Sequence, residues 1–70
     1  MRRMDYFDYE HAAREAGLND DQLRELVDAV TREYPSDRML MELHVLRACH
    51  AIRQGWVRFE DVVRPVPHVA

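Results

Sequence analysis

Apolar residues return along most of this chain at a helical period rather than in strict alternation. Tyr9, Ala12, Ala13 and Ala16 fall at i, i+3, i+4 and i+7, which places them on one stripe of a helix. Asp5 and Asp8 both precede this stripe as candidate N-caps, and Gly17 follows it as a left-handed C-cap. The pattern predicts a first helix from Tyr6 or Tyr9 to Ala16.

A second stripe, Leu23, Leu26, Val27, Val30 and Tyr34, is narrow and backed by the polar face Arg24, Glu25, Asp28, Thr31, Arg32 and Glu33. Its start is marked three ways: Asn19 as the cap, Gln22 at the capping-box position, and Leu18 positioned to staple onto Leu23. Asp20 and Asp21 suit the positive end of the helix dipole, and Pro35 ends the run. Ser36 is the candidate cap of a third helix, Asp37 to Gln54, closed by Gly55. A link this short makes neighbouring helices antiparallel.

The third segment differs from the second. Met41, Val45, Ala48 and Ile52 form one seam, Met39, Leu43 and Leu46 form another, and Leu40 and Ala51 lie off both. A helix apolar on more than one side is covered on more than one side. After Gly55, Trp56 and Phe59 are expected to fold back over the open end of the hairpin, near Ala48 and Ile52, as a structural cap. Phe59 to Val63 fits one short helical turn; the alternative is an extended Trp56–Arg58 with Val57 buried. The prolines Pro65 and Pro67 make 65–70 an extended tail. The expected fold is therefore all-α: an antiparallel hairpin, 19–34 and 37–54, with a short N-terminal helix and a C-terminal capping turn, in a single domain spanning 1–64.

Length and composition narrow the function classes. A chain of 70 residues has a marginal core, and its single cysteine, Cys49, allows no intrachain disulfide. A lone thiol suits a reducing, cytoplasmic compartment. No apolar run follows the N-terminal arginines, so no secretory leader is expected, and no stretch approaches membrane-span length. The net charge is −3, and all 10 basic residues are arginine, a bias that fits a GC-rich, bacterial-type genome. A mildly acidic chain with dispersed arginines is a poor nucleic-acid binder by default.

The segment Ala12-Ala13-Arg14-Glu15-Ala16-Gly17-Leu18, followed by Leu23 and Leu26, resembles the helix-turn-helix signature. It has a small residue at Ala13, the turn glycine at Gly17 and apolar anchors beyond. The resemblance implies a DNA-binding regulator whose recognition helix enters the major groove by its N-terminal end. Here that end reads Asn19-Asp20-Asp21-Gln22, two carboxylates where phosphates and base edges would lie.

Other constellations are sparse. His44, Cys49 and His50 find no second ligand at i+3 or i+4 on the third helix, so no metal site is expected there, and Cys49 reads as a small core residue. Asp8, His11 and Glu15 share a face of the first helix, where they read as a cap and an i, i+4 pair rather than an acid–base set. Tyr6, Phe7 and Tyr9 read as aromatic cover for a small core. With two glycines, a phosphate cradle has little to be built from. No catalytic residue, cofactor or metal is expected. The leading expectation is a non-enzymatic protein–protein interaction module, a homodimer joined through Met39, Leu40, Leu43 and Leu46; the alternative is the DNA-binding regulator using the corner at 12–26.

Overall fold

A computed structural model describes residues 7–64, and the expected tail 65–70, like Asp5 and Tyr6, lies outside the described residues. The described residues are all-α: α1 (Tyr9–Glu15), α2 (Asp20–Glu33), α3 (Arg38–Gln54) and the single turn α4 (Phe59–Val63). The helical boundaries expected from periodicity hold within a residue or two.

Each helix start has a physical cause. Asp8 caps α1, its carboxylate accepting from the His11 amide at 3.2 Å. Asn19 and Gln22 form the full capping box on α2, each side chain accepting from the other's amide, at 2.8 and 2.9 Å. The cap of α3 is a correction: it is Asp37, not Ser36. Asp37 takes the extended conformation at the helix boundary and its carboxylate accepts from the Leu40 amide at 3.0 Å, while Ser36 is spent in the turn that joins α2 to α3.

Two glycines close helices in the same way. After α1, the amide of Gly17 donates to the Arg14 carbonyl and that of Leu18 to the Ala13 carbonyl. After α3, the amide of Gly55 donates to Ile52 and that of Trp56 to Ala51. Both patterns are paired Schellman bonds, and they need a left-handed residue, met by φ values of 80° and 79° at the two glycines.

The tight α2–α3 turn makes those helices an antiparallel hairpin, and α1 packs on α3 while α4 packs on α2. The direction of α1 follows from its two ends. Phe7, just before it, bonds to Glu42 near the start of α3, and Glu15 at its end meets Arg53 at the finish of α3. So α1 and α3 run parallel, with α2 opposed. The core between them comprises Tyr9, Ala13, Leu23, Leu26, Val30, Met41, Val45 and Cys49. Ala12, Leu18, Val27, Ala48, Phe59 and Val62 border it.

The C-terminal cap is half as expected. Phe59 is partly buried against the core, but Trp56 is 70% exposed and Val57 38% exposed. Neither the expected Trp56 lid nor the alternative buried Val57 is found. The Schellman turn at Gly55 fixes the Trp56 backbone beside Ala51 and sends its indole outward, where it meets the His50 ring edge-on at 5.6 Å.

Candidate functional site

The second apolar seam of α3 is not absorbed by the core. Leu43 and Leu46 are half-buried and floor a groove of about 680 Å³ between α1 and α3. Ala12 of α1 completes the apolar floor, and Trp56 closes the end nearest the α3 C-terminus. Met39, one turn before Leu43, is 51% exposed and extends the strip. Leu40 is half-buried and lies outside the groove lining. Of the residues expected to mediate assembly, the fold thus brings Leu43 and Leu46 together, with Met39 in line and Leu40 on the adjoining edge.

Ionisable side chains line this groove from both helices. From α1 come Asp8, His11 and Glu15; from α3 come Arg47, His50 and Arg53. At one end the rims join, Arg53 Nη1 lying 3.4 Å from Glu15 Oε1. His11 Nε2 lies 3.6 Å from Glu15 Oε2 along the α1 rim. Asp8 uses Oδ1 on its own helix cap, and Arg47 makes no ion pair among the described residues. The Asp8–His11–Glu15 face, which sequence spacing left as an isolated surface feature, therefore lines a groove to which α3 contributes Leu43, Leu46, Arg47, His50 and Arg53.

The least expected residue is Glu42. Its side chain is 0% exposed, in a core otherwise apolar. Oε1 accepts from the Phe7 amide at 3.0 Å, and Oε2 accepts from Arg38 Nε at 2.8 Å, through a side chain that is 44% exposed. A carboxylate buried this deeply persists because the Arg38 guanidinium and a backbone amide replace water around it. Glu42 ties the segment just before α1 to α3, and the exposed Arg53–Glu15 pair bridges the two helices at their other end. Sequence reasoning passed over Glu42: it lies at i, i+3 and i+7 with the buried Val45 and Cys49, but its polar type gave no sign of burial.

The remaining candidates fall into structural roles. Cys49 is buried, and burial pushes its thiol up to about 11, which disfavours the nucleophilic thiolate. His44 is half-buried and stacks on Tyr34 with ring centres 4.6 Å apart and planes 5° from parallel. Among the described residues no three His, Cys, Asp or Glu side chains converge as a metal site. Tyr9 is buried in the core and Phe7 is half-buried.

At the helix-turn-helix-like corner, the α2 N-terminal turn presents Asp20 and Asp21 to solvent. Both nearby arginines face carboxylates: Arg24 lies 4.0 Å from Asp21, and Arg14 lies 3.8 Å from Glu10. No helix among the described residues is long and apolar enough to cross a membrane. Against known family models, curated proteins and solved structures, the chain finds no match.

Proposed function

We propose that this protein is a small, non-enzymatic protein–protein interaction module that acts as a homodimer, and that the α1–α3 groove is its interface. The observation that carries the reading is the apolar strip Met39, Leu43, Leu46 and Trp56, left open by the fold and flanked by charged side chains of both signs. Leaving such a strip in water forgoes about 25 cal/mol per Å² of apolar surface that a partner would cover. A second copy is the occupant we assign, because the groove is lined by both carboxylates (Asp8, Glu15) and cations (Arg47, Arg53), a mixed lining that a copy of the same face can meet. The buried, unpaired thiol of Cys49 suits a reducing compartment, and we place the module in the cytoplasm on that ground.

Sedimentation across low to high micromolar concentration tests the reading. A dimer is expected, and Leu43→Glu or Leu46→Glu should weaken it at least ~100-fold, the ratio corresponding to roughly 3 kcal/mol for a carboxylate trapped in an apolar seam. In the monomer these side chains are only half-buried, so the introduced carboxylate can reach water and the helical content should persist. A wild-type monomer at high micromolar concentration would overturn the proposal.

A further inference from the structure

We infer that two copies join their grooves face to face, with α3 antiparallel to the partner's α3 and Leu43 lying across from the partner's Leu46. This rests on the homodimer reading and names the contacts that make it. The open seam of α3 is Met39, Leu43, Leu46, His50 and Arg53, spaced four, three, four and three residues apart. That is the 3.5-residue period of a helix that packs lengthwise on another helix, each side chain entering a facing hole. The element that covers the seam is therefore a helix, and two helices line the groove: α1 and α3.

Length separates these two. α1 has 7 residues and α3 has 17, about 10 and 25 Å of helix. Phe7, just before α1, bonds to Glu42, so α1 begins level with the second turn of α3. Laid on the partner's α3, with the two α3 helices parallel, α1 would cover the seam only beyond that turn and leave Met39, 51% exposed, in water. A second α3 covers the seam from Met39 to His50. Two-fold symmetry that sets α3 on α3 across facing grooves makes the pair antiparallel, which also puts the positive end of each helix dipole beside the negative end of the other. The leucines fix the register. With Leu43 across from the partner's Leu46, and Leu46 across from its Leu43, Met39 falls across from the partner's His50 at both ends. Sliding one seam position in one direction sets Leu43 against Arg53; sliding in the other leaves His50 facing no residue of α3. The flexible Met39 thioether suits packing against the imidazole ring.

Cysteine cross-linking tests the pairing. Met39 and His50 lie 11 residues and so about 16 Å apart along α3. A disulfide needs Cα atoms within roughly 7 Å. Met39→Cys and His50→Cys are made in the full chain, with Cys49 retained because it is buried. His11→Cys and Arg47→Cys form a second set, placed to report α1 lying on the partner's α3. All four sites are exposed and tolerate substitution. Each variant is oxidised alone and each set as an equimolar mixture, and the products are separated without reductant; sedimentation follows the dimer in parallel.

The expected result is a covalent dimer from the mixture of Met39→Cys and His50→Cys and none from either alone. Self-cross-linking of Met39→Cys and of His50→Cys means parallel α3 helices in contact. A product from the mixture of His11→Cys and Arg47→Cys, with none from the first set, means that α1 covers the partner's α3. Either result overturns this inference and leaves the homodimer standing. No cross-link in any sample, with a dimer still seen by sedimentation, places the interface elsewhere and overturns both the pairing and the groove. A wild-type monomer by sedimentation overturns the homodimer and the inference with it.

Discussion

Replacing Glu42 by alanine tests whether one buried carboxylate holds α1 on α3. The substitution removes the acceptor of the Phe7 amide at 3.0 Å and the 2.8 Å bond from Arg38, and opens a void where a fully buried side chain stood. Breaking a buried ion pair by removing one member costs about 3–5 kcal/mol. Arg38 is 44% exposed and can rehydrate, so the low end applies to that part. The stranded backbone amide adds roughly 1–3 kcal/mol unless water reaches it. A total of about 4–6 kcal/mol is at or above the ~3–5 kcal/mol that one small core supplies. Glu42→Ala should therefore be largely unfolded at room temperature, and Glu42→Gln, which keeps an acceptor but loses the charge, should fall between it and wild type. Far-ultraviolet circular dichroism during urea titration reads both. A Glu42→Ala midpoint within about 0.5 kcal/mol of wild type, the range of ordinary surface substitutions, would refute the latch.

Phe59 and Trp56 should separate cleanly in thermal melts and sedimentation. Phe59→Ala is expected to cost about 2 kcal/mol, part of the full-burial range, because its ring is only partly covered. Trp56→Ala should leave the melting temperature of the monomer unchanged and weaken dimerisation instead, because the indole is 70% exposed at the end of the groove. For Cys49, burial raises the thiol pKa to about 11 in the folded chain, so the native state holds its proton where the unfolded state releases it. Its contribution to stability is complete below about pH 9 and is lost as pH rises toward 11. At pH 8 an alkylating reagent should modify Cys49 only after urea is added; equal rates with and without urea would contradict the burial. Selection from random duplexes at physiological salt should return no consensus, since Asp20 and Asp21 occupy the reading end of the α2 corner; a reproducible consensus would revive the DNA-binding reading.

Local signals were readable because their causes are local. Asn19 with Gln22, Gly17 and Gly55 act on backbone groups within a few residues of themselves, and the helical period of Leu23, Leu26 and Val30 reports one buried face whatever covers it. From these, the sequence by itself determined an all-α chain, the ends of its helices and the α2–α3 hairpin. The choice of Asp37 over Ser36 turned on the conformation of a short turn, which neighbouring cap-competent residues leave open.

What the tertiary structure decided involves residues far apart in the chain. Glu42 is polar by type and buried by position, and only the packing of α1 brings the Phe7 amide, 35 residues away, to its carboxylate. The outward Trp56 follows from the direction in which Gly55 turns the chain, a matter of where α4 docks on α2 and not of the hydrophobicity of the indole. The groove has the same origin. Asp8, His11 and Glu15 on one helix, and Leu43, Leu46 and Arg47 on another, are unremarkable surface pairs and seams when read separately. They become walls and floor only because α1 packs along α3, with Glu42 bonded to the Phe7 amide just before α1.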